Sequence, residues 1–438
     1  MKLLVITNLY PPHLAGTFET RCETVVEGLK QRGHVIRVLT SNYGLKSEQR
    51  DPEVERRLQL NGGFDQPAVT GYGGLAALEK HNHRIFQETI REFEPDLLYA
   101  WSLHGLSKSL MFGFRHSRYP TVYDMGDSWL ARELGDDPWL RWWNRPNVPH
   151  SAWRSVLEAT GQRNKLDSTA PTRMMKGYER VPEVFGDPDV IQKVRPNSIA
   201  AFHFNRLYFA SQFLKTQTEN AGFQVSHGEV IHPGVATDLF YGEIKPQTAP
   251  IKKLLVVARL HAACGVATAL EAVRQARESR VAVSLTVCGR GDSDYIAQLR
   301  SFVINHQLPV EFVTVSQQKK DLAALYRQHD AFLHTSEWED PFVTSFLEAM
   351  ACGLPVIATR SGGAAELLRH GQNALAFTPG DPLELGSRIH ELQIQPVLRC
   401  QMAEVAQAEV ANQFNHSLVL DQIENYLATS VEFWQHHS

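Results

Sequence analysis

Short apolar runs alternate with longer helical patterns along most of this chain. In the first half the runs are KLLVIT, VIRVLT, DLLYAW and TVYDM, separated by amphipathic patterns over residues 19–32 and 75–93 and by another after His104. A strand buried on both faces has a nearly continuous apolar sequence, and parallel strands need a long crossover that is usually a helix. The alternation therefore predicts parallel βαβ units.

A second series of the same kind follows residues 241–250 (YGEIKPQTAP), which are typical of a linker. Its apolar runs are KLLVVARL, VSLTVCG, VEFVTV, AFLHTS, PVIATR and ALAFTP. At 438 residues the chain is too long for one core of about 150 residues. We predict an α/β protein of two Rossmann-like, doubly wound parallel-sheet domains facing a central cleft, where such sheets bind ligands. The domains cover residues 1–240 and 251–410, and a terminal helix over 411–438 crosses back to the first.

Composition narrows the classes of partner and location. The chain has 44 Lys and Arg residues against 48 Asp and Glu, a net charge of −4, which offers no general attraction for nucleic acid or an anionic membrane. The five cysteines never occur as CxxC, which argues against a disulfide framework or a zinc site. The first apolar run is cut short by Asn8 and two prolines, and no run of about 18 apolar residues follows. The sequence therefore predicts a cytosolic protein without signal peptide or membrane span.

Some stretches of the first half depart from the alternation. Residues 41–74, rich in Gly, Asn, Pro and charge, are predicted to form an exposed insertion. Residues 129–200 show no clear pattern. The alternation returns with a strand over residues 198–203 (SIAAFH), a helix over 207–220 and a strand at VIHPG.

Five of the eight tryptophans fall within residues 129–153, where they are interleaved with arginines. Aromatic rings beside cations suit a bilayer interface, as in peripheral membrane contact, or stacking on a sugar. Burial of the segment as a flap against the core of the first domain explains them equally well. The tryptophans are Trp129, Trp139, Trp142, Trp143 and Trp153, and the arginines are Arg132, Arg141, Arg145 and Arg154.

The densest chemical signal lies in residues 334–363, HTSEWEDPFVTSFLEAMACGLPVIATRSGG. A strand is followed by an acidic loop and a helix, so Asp340 lies at the helix entry and Glu348 in the second turn, both able to face the cleft. The N–H groups that open the helix are predicted free donors at its positive end, suited to phosphate or sugar oxygens. They belong to Phe342, Val343 and Thr344. The alternative is that the two acids only cap the helix.

This stretch resembles the retaining, nucleotide-sugar-dependent glycosyltransferases of family 4, among the group 1 glycosyl transferases, which have the two-domain GT-B fold. Their signature is an acid, seven residues and Glu, then EAMACGxPVIAT and a Gly-Gly turn. Asp340, Glu348, LEAMACGLPVIATR and Gly362-Gly363 match it, although most members have Glu at the first position. The resemblance implies that Asp340 contacts the donor sugar and Glu348 the nucleotide ribose, because a carboxylate can accept hydrogen bonds from both hydroxyls of a diol.

The second element of the family is a strand ending in Arg-Leu, followed by Lys-Gly, whose cations neutralise the leaving diphosphate. VVARLHAACGV resembles it and supplies Arg259, Leu260 and Gly265, but Cys264 stands in the place of the Lys. Removing one donor from such a site typically costs about 10²–10³ in rate. Another cation then covers the diphosphate, or the donor is unusual, or turnover is weak. His261 is a nearby candidate, although a loop histidine is more often solvated.

Candidate residues of the first domain follow its strands. The loop YPPHLAGTFET resembles the family's PPxxGGxE, with Ala15 in place of the first Gly. Gly16 and Thr17 are candidates for contact with the acceptor or the diphosphate, because a backbone without Cβ lets a ligand approach closely. An ordinary strand-to-helix turn is the alternative.

A third element follows the strand TVYDM. Gly126 and Asp127 stand where many family members carry His-Asp near the donor sugar. Asp127 is a candidate to orient the acceptor hydroxyl or act as its base, and a helix cap is the alternative. His104, which follows the third strand, is a further candidate for the cleft.

Two glycine- or aspartate-rich patterns have simpler explanations. Gly289-Arg290-Gly291 lacks the third glycine and the distant acid of a dinucleotide fold, so NAD binding is a weak prediction, while Gly289 remains a candidate of the donor site. Asp292-Ser293-Asp294 spells the DxD that other transferase folds use for Mn²⁺, but its place at a helix start is better explained by capping.

The resemblance implies transfer of a sugar from a nucleotide-diphosphate sugar to a glycan, lipid-linked or small-molecule acceptor, with retention of configuration. Arg259, Asp340 and Asp127 are the predicted catalytic residues, and no metal or other cofactor is required if Arg259 and the helix N–H groups hold the diphosphate. Three alternatives remain open. They are a catalytically degenerate binding or scaffold protein of the same fold, an NAD(P)-dependent oxidoreductase, and a nucleotide-sugar epimerase.

Overall fold

A computed structural model of the protein describes residues 1–14, 16–45, 51–64, 66–115, 117–133, 137–139, 204–314 and 319–437, together with residues 152, 155 and 156. Ala15, the predicted strand over 198–203 and most of the 129–200 segment lie outside the described residues. The chain divides into two compact units. Unit 1 comprises Met1–Ile231 and Gln422–Ser438, and unit 2 comprises His232–Asp421.

Unit 1 is built on a parallel sheet of seven described strands. They are β1 (Lys2–Ile6), β2 (Val35–Ser41), β3 (Val54–Leu58), β4 (Leu97–Ala100), β5 (Thr121–Met125), β6 (Arg206–Phe209) and β7 (Glu229–Val230). Their order is β3-β2-β1-β4-β5-β6-β7, and every pair is parallel. The described helices are α1 (Thr17–Gln31), α2 (Tyr72–Phe93), α3 (Leu110–Arg115), α4 (Trp129–Glu133) and α5 (Gln212–Asn220).

Unit 2 is built on a second parallel sheet, with six described strands. They are β8 (Lys253–Val257), β9 (Ser284–Cys288), β10 (Val310–Val313), β11 (Ala331–His334), β12 (Val356–Thr359) and β13 (Leu375–Phe377), in the order β10-β9-β8-β11-β12-β13. The helices are α6 (Val266–Glu278), α7 (Ser293–Asn305), α8 (Lys319–Arg327), α9 (Thr344–Ala351), α10 (Ala364–Leu367), α11 (Pro382–Ile394), α12 (Pro396–Gln413) and α13 (His416–His437). Residues 422–437 of α13 belong to unit 1. The two parallel α/β sheets confirm the predicted fold class.

The strands are apolar throughout because both faces of each sheet are covered. Successive side chains of β8 point to opposite faces, and Leu254 and Val256 pack in one cluster with Leu385 of α11. Leu255 packs on the other face with Leu347 of α9. Each of these side chains is at most 1% exposed. Burial on both faces therefore accounts for the continuous apolar runs from which the strands were predicted.

Two predictions for the first half of the chain are wrong. Within the stretch expected to be an exposed insertion, β3 pairs with β2, and both Val54 and Leu58 are buried. The helix expected over 207–220 begins only at Gln212, because residues 206–209 form β6. Both short segments lie at places where the alternation is weak, and pairing with a neighbouring strand decides their conformation.

Two of the tryptophans that suggested a membrane or sugar surface are buried. Trp129 is 1% exposed and Trp139 is 0% exposed, and both belong to the core of unit 1. For these two side chains burial against the unit's own core is the explanation. Trp142, Trp143 and Trp153 lie outside the described residues. In the part of the chain that the structure describes, no helix is long and apolar enough to cross a membrane.

The order of the strands decides which loops come together. In unit 1 the order reverses between β1 and β4, and in unit 2 between β8 and β11. Open α/β sheets bind ligands beyond the carboxyl ends of the strands at such a point. The loops that follow these strands carry Gly16 and His104 in unit 1, and Arg259 and Asp340 in unit 2.

Candidate functional site

Arg259 lies on the loop that follows β8 and is exposed. Within the described residues no ion pair or hydrogen bond of its side chain is present. The loop is held by its neighbour after β9, where the Leu260 amide donates to the carbonyl of Arg290 at 2.8 Å. An added Cβ at Gly289 or Gly291 would overlap the Ala258 or Leu260 carbonyl oxygen. The close packing of the two loops thus explains why position 289 is a glycine, and contact of Gly289 with a donor stays a prediction.

Cys264 ends a 3₁₀ turn, Ala262–Cys264, that joins β8 to α6. Gly265 follows with φ +66°, and a Cβ there would overlap the carbonyl oxygen of Thr335 in the loop after β11. The Thr335 hydroxyl donates to the Cys264 carbonyl at 3.1 Å, and the Glu337 amide donates to the Ala263 carbonyl at 2.9 Å. These bonds fix the loops after β8 and β11 against each other.

The three side chains Arg259, Cys264 and Asp340 influence one another electrostatically. The pKa of the Cys264 thiol is raised to about 11, chiefly by burial and also by the nearby Asp340, while the charge of Arg259 opposes the rise. Burial also raises the pKa of the Asp340 carboxyl, opposed by a hydrogen bond from Ser336 and by the charge of Arg259. The structure therefore brings together one predicted cation, one predicted acid and the residue that replaces the second cation.

The Gly362-Gly363 turn packs against the backbone of the acidic loop. The Gly363 amide donates to the Asp340 carbonyl at 2.8 Å. A Cβ at Gly362, whose φ is +51°, would overlap that same carbonyl oxygen, and a Cβ at Gly363 would overlap the carbonyl oxygen of Pro341. The side chain of Asp340 accepts a 3.0 Å hydrogen bond from Ser336 Oγ. Two consecutive glycines are needed because the backbone of the acidic loop lies directly on the turn.

The helix α9 begins without a side-chain cap from any described residue. Its first cap residue, Val343, has extended backbone angles and its side chain makes no capping hydrogen bond. The alternative that Asp340 and Glu348 cap this helix is therefore wrong. The amides of Phe342, Val343 and Thr344 have no acceptor among the described residues. They are donors at the positive end of a helix, where an anion is favoured.

Glu348 lies on the second turn of α9 and is half-buried. Its Oε2 accepts a 3.0 Å hydrogen bond from the hydroxyl of Tyr326 on α8. Burial raises the pKa of the Glu348 carboxyl to about 7, while the Tyr326 hydrogen bond and the charge of Lys319 lower it. Near neutral pH the group is therefore divided between its neutral and charged forms. Sequence reasoning did not find Tyr326, because nothing in the α8 pattern marks it.

Unit 1 places Gly16 and Thr17 at the start of α1. The Gly16 amide donates to the buried carboxylate of Glu19 at 2.9 Å, a contact typical of an ordinary helix start. Thr17 is exposed. The contact of either residue with a ligand stays a prediction.

Asp127 and His104 are brought together through Ser102. The Ser102 hydroxyl donates to Asp127 Oδ2 at 2.8 Å and accepts from the His104 amide at 3.2 Å. Asp127 Oδ1 also accepts from the amide of Trp129, the first residue of α4, at 3.4 Å. The contact with Trp129 is the one expected if Asp127 caps α4. A role of Asp127 in binding the acceptor stays a prediction.

A buried network that no sequence pattern predicted lies beneath this corner of unit 1. Arg21 Nη2 donates to Asp124 Oδ2 at 2.5 Å, and the hydroxyl of Tyr208 donates to the same oxygen at 2.5 Å. Tyr208 in turn shares a hydrogen bond with the hydroxyl of Tyr99. The one signal in the sequence was indirect, namely Gly126 where the resemblance places a histidine.

The aspartate-rich pattern is a helix cap, as predicted. Asp292 precedes α7 and its side chain accepts from the Tyr295 amide at 2.8 Å. His261 is exposed on the loop after Arg259. Over the ranges that the structure describes, no group of three His, Cys, Asp or Glu side chains is placed to hold a metal ion.

Comparison with known proteins confirms the resemblance for the second half of the chain. Residues 244–409 match the family described as Glycosyl transferases group 1. An uncharacterized glycosyltransferase of Methanocaldococcus jannaschii, MJ1607, is 24% identical over 390 residues, which cover 87% of this chain and 86% of that protein. Seven further curated relatives match over 23% to 50% of their own length. The narrower assignment to family 4 stays a prediction.

Solved structures show the same fold. Anabaena Alr3699/HepE, crystallised with UDP, has a TM-score of 0.65 and 20% identity, with 98% of this chain and all of that chain covered. Sucrose-phosphate synthase of Thermosynechococcus elongatus has a TM-score of 0.68 and 16% identity, with 97% of each chain covered. The chain therefore has the GT-B fold that the resemblance implied.

Proposed function

We propose that this protein is a glycosyltransferase that moves a hexose from a nucleotide-diphosphate sugar to a glycan, lipid-linked or small-molecule acceptor with retention of configuration. The observation that carries the proposal is in unit 2, at the point where the strand order reverses. There, among the described residues, an exposed guanidinium that makes no salt bridge or hydrogen bond follows β8, and helix N–H groups without an acceptor follow β11. An arrangement of this kind suits a diphosphate.

The chemistry follows from where charge develops. Breaking the bond between the sugar and the diphosphate builds negative charge on the leaving oxygen, and donors that are already oriented stabilise it without rearrangement. Arg259 and the N–H groups at the start of α9 would supply that stabilisation, so we propose that no metal is required. Asp340 would contact the sugar, and Asp127 would orient the acceptor hydroxyl or accept its proton.

Glu348 would hold the ribose of the donor. A carboxylate accepts hydrogen bonds from two neighbouring hydroxyls, and the hydrogen bond from Tyr326 to Oε2 fixes its orientation on α9. Because burial raises the pKa of this group to about 7, binding of the ribose favours the ionised form and releases a proton.

A degenerate binding protein of the same fold is the second candidate, and Cys264 favours it. The thiol is largely neutral because its pKa is raised to about 11, so it contributes no charge to a diphosphate. The proposed enzyme must then stabilise its leaving group without a charge from position 264, with Arg259 and the backbone donors. A protein that binds a nucleotide sugar without transferring the sugar would have the same site.

Thermal unfolding with UDP, GDP and ADP tests the nucleotide site first. A nucleotide at about 100 times its Kd should stabilise the folded protein by about 2.7 kcal/mol, or roughly 5–10 °C for a unit of this size. We expect one nucleotide to raise the midpoint for the parent and for the control Arg280→Ala, an exposed arginine beyond the far end of α6. Arg259→Ala should abolish the rise. No rise with any nucleotide in the parent would refute the proposal.

Turnover separates the remaining candidates. Release of free nucleotide from its sugar conjugate only when an acceptor is added identifies a transferase and rules out an epimerase. Binding without release identifies the degenerate protein. A change of absorbance or fluorescence on adding NAD(P)H would indicate the oxidoreductase. The anomeric configuration of the product, read by NMR, tests retention.

A further inference from the structure

The space that a side chain at position 126 would need is occupied by two side chains of α1. Gly126 follows β5, and an added Cβ there would overlap Arg21 Nη1 and Phe18 Cε2, both from α1. A residue with any side chain would displace one or both groups. The absence of a side chain at Gly126 therefore leaves room for the Arg21 guanidinium at the carboxyl end of β5.

Three contacts hold this guanidinium in one position. Its Nη2 donates to Asp124 Oδ2 at 2.5 Å, and the Asp124 side chain is completely buried. Its central carbon lies 4.9 Å from the ring centre of Trp101 and 5.8 Å from that of Phe18. Asp124 is itself oriented by the hydroxyl of Tyr208. An arginine clamped by a buried carboxylate and two aromatic rings is preorganised, so little side-chain entropy is lost when it binds a ligand.

Most N–H groups of the Arg21 guanidinium are not used by the ion pair with Asp124. The guanidinium carries five N–H groups, and within the described residues Asp124 is the one acceptor bonded to it. The Arg21 side chain is 13% exposed, so it is not sealed from solvent. The ion pair with Asp124 uses an N–H of Nη2, and the N–H groups of Nη1 and Nε have no acceptor among the described residues.

The counter-ion favours a neutral ligand over an anion. The Asp124 carboxylate already neutralises the charge of the guanidinium, so an anion would gain no net attraction from the pair, whereas a hydroxyl can still accept a hydrogen bond from it. The half-buried ring of Phe18 adds an apolar surface of the kind on which a sugar ring stacks.

We propose that Arg21 is a specificity-determining residue that donates hydrogen bonds to a sugar hydroxyl and occupies the place that Gly126 leaves open. The inference rests on the proposed transferase function and assigns a substrate contact to unit 1. The sugar is either that of the donor or that of the acceptor, and the experiment distinguishes the two.

The key variant separates substrate binding from the structural role of Arg21. Arg21→Met keeps the apolar stem but leaves the buried Asp124 carboxylate without its counter-ion, so this variant alone also loses stability. In Arg21→Met/Asp124→Asn no charge is left unpaired, and the amide oxygen that replaces the carboxylate can still accept from Tyr208. Asp124→Asn alone is the control for the second substitution. Gly126→Ala tests the same geometry by displacing the guanidinium.

The measurements are dissociation constants for the nucleotide that stabilises the parent and for its glucose or mannose conjugate, and the rate of nucleotide release with glucose as acceptor. For the double variant we expect the same unfolding midpoint as the parent and a nucleotide Kd within twofold of the parent value. A loss of affinity for the conjugate of about ten- to hundredfold, the size of one hydrogen bond to a charged group, assigns the contact to the donor sugar. Unchanged conjugate affinity with a tenfold lower kcat/KM for glucose assigns it to the acceptor.

The opposite result is equally clear. If the double variant matches the parent within threefold in conjugate affinity and in kcat/KM, Arg21 is only the counter-ion of Asp124 and the inference is wrong. Failure of the proposed function is a separate observation, because it is read from the parent protein, which would then bind no nucleotide.

Discussion

Replacing Glu348 by Gln should stabilise the protein at high pH and weaken its nucleotide site. Burial raises the pKa of the Glu348 carboxyl from its ordinary 4.5 to about 7. Since one pKa unit corresponds to about 1.36 kcal/mol, keeping this group ionised costs the folded state about 3 kcal/mol at pH 8.5. The neutral amide of the variant avoids that cost and still accepts the hydrogen bond from Tyr326.

The sign of the pH dependence follows from the raised pKa. Because the folded state binds the proton more tightly than the unfolded state, the parent is fully stabilised by it below pH 4.5. That stabilisation is lost as pH rises from 4.5 through 7. Glu348→Gln should therefore match the parent at pH 4.5 and exceed its stability by about 3 kcal/mol at pH 8.5.

Urea denaturation of parent and variant at pH 4.5, 7 and 8.5 measures this difference. Glu311→Gln, which removes an exposed carboxylate on β10 of the same unit, is the matched control for the loss of one surface charge. Glu348→Gln should also lose at least tenfold in nucleotide affinity, because an amide oxygen accepts less strongly than a carboxylate. A variant no more stable than the parent at pH 8.5, or a difference independent of pH, would refute the reasoning.

Two further substitutions test the loops of unit 2. Gly362→Ala places a Cβ against the Asp340 carbonyl and should cost at least about 2 kcal/mol more in urea denaturation than Gly371→Ala. Gly371 also has a positive φ, +74°, but has open space around it, so Gly371→Ala introduces the backbone strain alone. An equal loss of stability in the two variants would exclude a packing role for the Gly362-Gly363 turn. Cys264→Lys should raise nucleotide affinity by no more than twofold, since Arg259 already supplies the charge; a tenfold gain by calorimetry would favour the degenerate binding protein.

Much of the site in unit 2 could be predicted because its signal is local. Asp340, Glu348 and the glycine pair lie within 24 residues of one another, in a segment that runs from the loop after β11 through α9 and β12 to the following turn. Their spacing alone places the acid at a helix entry and the glutamate on the following helix. The structure adds what spacing cannot show, namely that no described side chain caps α9 and that the Gly362-Gly363 turn carries the acidic loop.

The errors of sequence interpretation fall where local patterns are short. The strand over 54–58 has two buried positions, and its assignment depends on pairing with β2, which lies beside it in the sheet. The four residues of β6 were assigned to the helix that follows, because an apolar run of this length suits either conformation. In both cases a neighbouring strand supplies the hydrogen bonds that decide the outcome.

The sequence by itself determined that the chain forms two doubly wound parallel sheets and which motif residues follow their strands, because the period of apolar residues and the spacing of motifs are local properties. Only the tertiary structure decided which of these residues meet and in what state of charge. Arg21 and Asp124 are 103 positions apart and meet because the first turns of α1 reach the carboxyl end of β5. The raised pKa values of Glu348 and Cys264 depend in the same way on burial by other elements, and that burial exists only in the folded protein.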